Sequence, residues 1–451
     1  MTKFPRNIYS LSAKEIGKKL LNLEICPIDL MSFYLDKIES YHFTSPYIEV
    51  FKTQALKNAK LSKKRILNNQ PFSLLDGIPI AWKDLFDISG YKTHGGSKLL
   101  INTKIAKNNS TVVQRTLAKG LIPIGKTRTV EFALGGLGTN KNYGTPENAV
   151  ITDTPRVPGG SSSGSATALA RNMCALAVGT DTGGSVRIPA AWNKLYGLKT
   201  SYGKVPTQGV LPLSKSLDTV GPITKSVEDL NLIYSIFSQE EDHQQLNIFN
   251  KKILVARGTP CSNLDKEIEI VFENVLSKIS ATGIKIDEVI LSEMEDMYKM
   301  LSELGTLVTF EAWNQWKHLV SKNKEDVDPN VLNRMLAGST VPKKNITKLK
   351  REQIILSTKL YSKLKGYDAL IMPTVPILPP KIKEVEEKQK IYNKYNILAL
   401  RNTSIGNNLP LCGITIPYKD SSLPIGIMFY RKLGEDYSLL KVVKKYDKII
   451  N

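Results

Sequence analysis

The sequence has little sulfur and little imidazole. Its four cysteines, Cys26, Cys174, Cys261 and Cys412, stand far apart, at neither disulfide-framework nor metal-ligand spacing. They read as reduced thiols of a cytoplasmic protein. Four histidines, His42, His94, His243 and His318, are equally dispersed. No His-Glu-x-x-His or similar cluster occurs, so metal dependence is not expected. There is no run of 18 apolar residues, which excludes a spanning helix of ordinary length. Met1 to Ser10 lacks the apolar centre of a signal peptide. Arginine is scarce: of 62 basic residues 12 are Arg, which leaves 50 Lys. The net charge of +20 therefore comes from lysines spread along the chain. Nucleic-acid footprints cluster, so the excess reads as a compositional bias, with weak polyanion association its main consequence.

Internal repeats and linkers are also missing. What the 451 residues do contain is an alternation of helical and strand patterns. Ser12 with Glu15 forms a capping box for a helix over Ala13–Leu20. Pro27 starts a second helix, Ile28–Tyr41, and Ala55–Lys64 is a third. Further on, strands are expected within 75–88 and at 121–125, 251–257 and 284–290. Helices are expected at 110–118, from Ser226, at 264–281, over Met294–Ser321 and over Pro342–Leu364. Phe310, Trp313 and Trp316, three residues apart, suit core packing or a pocket wall. Pro79 inside the first of these strands argues for an edge or a break in pairing.

The stretch Pro158–Lys199 organises the chain. It carries two glycine-serine turns, Gly159–Ser165 and Gly179–Ser185. Between them lie an alanine-rich helical run, Ala166–Arg171, and an apolar run, Cys174–Val178, of strand length. Glycine allows positive φ and close backbone approach, so successive N–H groups can converge on an anion. A serine in the same turn can then attack a carbonyl held there. A flexible linker, a phosphate cradle and simple packing are competing uses of such turns. No Gly-Lys-Ser/Thr follows, which counts against the phosphate cradle.

The whole string GGSSSGSA, GTDTGGSVRIPAA and GLK, continued by Tyr202-Gly203 and Ser216–Pro222, resembles the signature of the amidase signature family of serine hydrolases. The resemblance spans about Ser10 to Tyr437 and is strongest between Leu75 and Asp229. It implies an α/β fold: a mixed, twisted central sheet with helices on both faces, in a single domain over 1–451. Within that domain, 1–70 is the N-terminal helical segment, 75–230 the signature core and 250–451 the rest of the sheet and the pocket helices. In the family the N-terminal helices shield the central fold and sometimes mediate dimers, so a homodimer is an open expectation.

The resemblance also assigns roles. Ser185 is the expected nucleophile, with the N–H groups of Thr182, Gly183, Gly184 and Ser185 as oxyanion hole. Ser161, 24 positions earlier, matches the bridging serine that is entered through a cis peptide bond, with Ser162 as fallback should the register slip. Lys83, after Gly77-Ile78-Pro79, is the expected base. A free lysine at pH 7 is neutral in only about one molecule in 2,500, so a base here requires burial. Asp84 is expected to face away from it, and Asp181 and Arg187 to brace the second turn. The glycine-rich loop Glu131–Asn142 is expected near the site.

Two functions fit. One is an amidase that hydrolyses a small carboxamide without cofactor, metal or membrane. The other is the A subunit of a tRNA-dependent glutamine amidotransferase, which would bring a protein partner and tRNA. Pro206–Ser216 resembles the former. The amidotransferase's acidic residue for the glutamine amine falls at Leu400 when Thr403 is aligned with the corresponding threonine, which also favours the hydrolase. The departure Pro410-Leu411-Cys412-Gly413 from the family's apolar GLP leaves one edge of the pocket open in shape.

Overall fold

The structure is a computed structural model that describes residues 8–240 and 249–451. The signal-peptide reading of Met1–Ser10 falls largely, and His243 wholly, outside the described residues. Eleven strands form one mixed sheet: β1 Tyr47–Val50, β2 Pro79–Lys83, β3 Ile122–Thr127, β4 Leu176–Asp181, β5 Tyr196–Lys199, β6 Thr219–Thr224, β7 Lys252–Arg257, β8 Lys285–Ile290, β9 Leu370–Pro373, β10 Leu411–Pro417 and β11 Gly426–Lys432. Their spatial order is β1-β3-β2-β4-β6-β5-β10-β11-β9-β7-β8. β3, β2 and β4 run parallel, as do β9, β7 and β8, and the remaining pairs are antiparallel.

β11 shows why helices cover both faces. Successive strand side chains point to opposite sides. Ile427 and Phe429 join one core with Leu439 and Val443 of the helix Asp436–Ile450. Met428 and Tyr430 join a second core with Met297 of Ser292–Leu304 and Leu360 of Lys343–Lys363. β2 and β4 are buried along their whole length. Among the described residues no helix is long and apolar enough to cross a membrane.

Local signals held where they rested on caps. Ser12 Oγ accepts from Glu15 N at 3.2 Å while Glu15 accepts from Ser12 N at 2.8 Å, starting the helix Ala13–Leu21. Ser226 Oγ accepts from Asp229 N, and the helix Val227–Ser238 follows. Three expectations fail for non-local reasons. β1 lies inside the N-terminal segment read as helical, because its backbone finds β3 as an antiparallel partner. β2 is a central strand, not an edge. Pro79 is its first residue, where the missing N–H costs nothing, and its carbonyl accepts from Ala175 N at 3.2 Å. The helix expected over Met294–Ser321 breaks at Gly305, φ +88, into Ser292–Leu304 and Leu307–Val320.

Candidate active site

The two glycine-serine turns meet at the C-terminal ends of parallel β2 and β4. Lys83 closes β2; Asp181 closes β4. The first turn leads into the helix Ser163–Ala170, which packs on β2 and β4 and returns the chain to β4. The second leads from β4 into the helix Arg187–Trp192. Ser162 N donates to Ser185 O at 3.2 Å, which ties one turn to the other.

Lys83 and Ser161 are wholly buried, and Ser185 is 4% exposed. Lys83 Nζ donates to Ser161 Oγ and to Thr180 Oγ1, each at 2.8 Å. The Gly160–Ser161 peptide is cis. Ser162, the fallback, instead donates its hydroxyl to Thr180 O at 3.4 Å. Burial is the dominant influence on Lys83 and brings its pKa down to about 7. The Asp181 and Asp218 carboxylates oppose that fall without reversing it. Asp84 takes no part: it pairs with Lys126 at 3.4 Å and accepts from His94 N. Asp218 accepts from Thr182 Oγ1 at 2.6 Å and from Leu213 N and Ser214 N, yet burial still raises its pKa to about 6.

The second turn is shaped by a buried ion pair. Arg187 donates to both Asp181 oxygens, through Nε at 2.9 Å and through its terminal nitrogen at 2.8 Å. Asn407 and the Tyr430 hydroxyl complete the arginine's partners. Burial pushes the Asp181 pKa up, but Arg187, with Lys199 and Asn407, overrides it and holds the carboxyl well below its usual range. Asp181 also accepts from Gly184 N at 2.9 Å and Val186 N at 3.2 Å. Gly184 was expected to give its N–H to an oxyanion, and here that N–H is committed to Asp181. The N–H groups of Thr182, Gly183 and Ser185 have no partner among the described residues. Thr403 Oγ1 donates to Gly183 O at 2.7 Å and fixes the turn from the opposite side.

Ser185, Thr182 and Gly183 form one wall of a cavity of about 370 Å³. The glycine-rich loop forms another through Ala133, Leu134 and Gly135. Phe132 and Ala133 have φ of +51 and +61, a costly conformation for residues with a Cβ. The loop is held in it by Glu131, which accepts from Ser97 Oγ and Asp328 N, each at 2.6 Å, and by Phe132 against Trp316, ring centroids 4.8 Å apart. Trp316 thus supports the loop from behind. Neither it nor Phe310 or Trp313 lines the cavity; Leu301, Val308, Ile397 and Leu400 do. Cys412 is buried in β10 and does not reach it.

Sequence reasoning missed Thr180, the second acceptor for Lys83, and Asn407 and Tyr430, which complete the Arg187 shell. Thr180 sat inside the quoted motif, but nothing local says which way a strand threonine faces. Among the described residues no group of three or more His, Cys, Asp or Glu is placed to hold a metal.

Comparison with known proteins agrees with this architecture. The Amidase family profile matches residues 29–440. A 2-amino-5-chloromuconic acid deaminase of Comamonas testosteroni is 29% identical over 437 residues, covering 93% of this chain and 92% of the relative. The A subunit of a glutamyl-tRNA(Gln) amidotransferase from Sulfurisphaera tokodaii is 32% identical over 417 residues, 84% and 86% of the two chains. A crystal structure of an amidase superposes with a TM-score of 0.89 at 28% identity, covering 98% of this chain and all of the other. With the profile spanning most of its length and the fold matched throughout, the chain belongs to the amidase signature family and is a hydrolase of that family.

Proposed function

We propose that the protein is an amidase that converts a small carboxamide to a carboxylate and ammonia, or an amine, through an acyl-enzyme on Ser185. The observation that carries this reading is Lys83: wholly buried, lowered to about 7, and hydrogen-bonded to Ser161. Neutral Lys83 takes a proton from Ser161, which takes one from Ser185. Among the described residues no hydrogen bond joins the two serine hydroxyls, so this leg of the relay closes when substrate fills the cavity. Ser185 Oγ bonds to the amide carbon. The carbonyl oxygen takes the negative charge and faces the N–H groups of Thr182, Gly183 and Ser185. The C–N bond then breaks as the leaving nitrogen takes back the proton, and water cleaves the ester to release the acid. Strands from the N-terminal segment, the signature core and the remainder of the chain share one sheet, which supports reading 1–451 as one catalytic domain.

A second reading is the A subunit of an amidotransferase, favoured by the relative at 32% identity. The decisive experiment is ammonia release by the purified chain alone. Turnover of a simple carboxamide supports the amidase. Silence alone, with glutaminase activity gained on adding charged tRNA and a partner protein, would establish the second reading instead.

A further inference from the structure

The Ser185 cavity also has a chemistry that the hydrolytic machinery does not use. Arg334, on the helix Pro329–Ser339, and Arg401, on Gln389–Asn408, both line it. Among the described residues no Asp or Glu lines it. Among the described residues the Arg334 side chain has neither a hydrogen bond nor an ion pair, and its Nε is buried without a partner. Arg401 donates only to neutral acceptors, Pro260 O at 3.2 Å, Ser262 Oγ at 3.4 Å and Asn402 Oδ1 at 3.1 Å. The Tyr298 hydroxyl, from a third helix, is also buried and unpartnered against the same cavity.

Buried donors without acceptors are rare in native proteins, and each calls for an explanation. Here two unpartnered groups belong to one cavity; the Tyr298 hydroxyl can donate or accept, but the Arg334 guanidinium only donates, so the group missing beside it is an acceptor. Glu295 acts on Arg401 from behind the lining, but no carboxylate acts on Arg334, whose positive charge is left uncompensated. A planar guanidinium matches a carboxylate. Desolvation lowers the affinity of Arg334 for its own proton, the cost expected of a cation held without a counter-ion.

We propose, resting on the amidase reading above, that the cavity takes an acyl group ending in a carboxylate, so that the substrate is a monoamide of a short dicarboxylic acid. Arg334 is the principal anchor, and Arg401 and Tyr298 supply the surrounding field and a further donor. The apolar side chains of Ile397 and Leu400 also line the cavity. With no acidic residue in the lining, an ammonium on the acyl chain has no partner, so an amino-acid amide is the poorer substrate. The reaction is monoamide plus water to dicarboxylate plus ammonium.

The test is a matched substrate series with the purified protein. Succinamate, glutaramate and adipamate are compared with butyramide, valeramide and hexanamide, and glutaramate with L-glutamine. A hydrogen-bonded charge pair of this kind corresponds to roughly 10- to 100-fold. We expect an acidic amide to exceed its neutral counterpart in kcat/KM by at least that factor, and glutaramate to exceed L-glutamine. In Arg334→Gln the acidic-to-neutral ratio should collapse by a similar factor, and Arg334→Lys should recover part of it. Neutral amides turned over as well as acidic ones, a ratio unchanged in Arg334→Gln, or a preference for L-glutamine would overturn the proposal. A binding arm separates this from failure of the amidase reading. Succinate, glutarate and adipate are titrated against Ser185→Ala, and against Ser185→Ala combined with Arg334→Gln, with Tm as readout. If no amide of either kind is hydrolysed, the amidase reading fails. A Tm rise that depends on Arg334 then still upholds the carboxylate site, and its absence overturns it.

Discussion

Lys83 Nζ lies 2.8 Å from Ser161 Oγ, although 78 positions separate them in the chain. The contact exists because β2 and β4 run parallel and adjacent, so the turn before the helix Ser163–Ala170 and the end of β2 open at the same edge of the sheet. A lysine at that edge is sealed from water by the strands on either side. That seal is what makes it a candidate base.

The first prediction is that Ser185 forms the covalent adduct. A fluorophosphonate should label the wild type and leave Ser185→Ala unlabelled. Ser161→Ala should lose about 100-fold or more in turnover, the scale of a lost general-base relay. Ser162→Ala, whose hydroxyl meets only the Thr180 carbonyl, should lose much less. Intact labelling of Ser185→Ala, read by mass spectrometry, would move the nucleophile elsewhere.

Lys83 makes a prediction in pH. Only its neutral form can accept a proton, so kcat/KM should rise with pH through a single ionisation near 7. Lys83→Ala should lose that ionisation with most of the activity. Lys83→Arg should be no better, because guanidinium stays charged. A variant with wild-type turnover and an unchanged profile would remove Lys83 from the mechanism.

The same shift bears on stability. The folded-state pKa lies below the unfolded value of 10.5, so between about 7 and 10.5 the unfolded chain binds the extra proton. Stability therefore increases with pH across that window, and the burial penalty is fully present below it. At pH 6 the penalty is on the order of 5 kcal/mol. Lys83→Met should be more stable than the wild type at pH 6, and the gap should narrow towards pH 10. Urea titrations at the two pH values test this; a gap independent of pH contradicts it.

Asp181 supports both the arginine and the turn. Asp181→Asn leaves the Arg187 charge buried without its counter-ion, which costs about 3–5 kcal/mol in comparable sites. Chemical denaturation should show that loss. A change below about 1 kcal/mol would mean that Asn407 and Tyr430 suffice for Arg187.

Gly184 and Gly183 should respond differently to alanine. Gly184 has φ +131, and a Cβ there would lie 2.0 Å from Thr403 Oγ1. A Cβ on Gly183 would meet nothing nearer than Leu400 at 3.6 Å. Gly184→Ala should lower Tm markedly, with a stability loss of roughly 1–3 kcal/mol or more as in an overpacked site, and Gly183→Ala should change stability by less than about 1 kcal/mol. Equal effects would show that the turn yields to Thr403.

By itself the sequence determined what can be written in local terms. The caps at Ser12 and Ser226 and the order turn, helix, strand, turn around Ser161 and Ser185 depend on residues a few positions apart, and they are found as read. So does the ordered motif that marks the family. Tertiary structure alone decided the rest, because it turns on partners far along the chain. β1 is a strand only because β3 offers it hydrogen bonds, and Pro79 is tolerated in the middle of the sheet only because it stands first in β2. The Gly184 N–H is taken by Asp181 because a buried Arg187 leaves that carboxylate ionised and turned inward. Thr180 matters because β4 lies beside β2 and turns its hydroxyl to Lys83. Arg334 and Tyr298 carry no motif. They matter because two helices bring them to one cavity, and burial and unpaired polarity are properties of the folded chain.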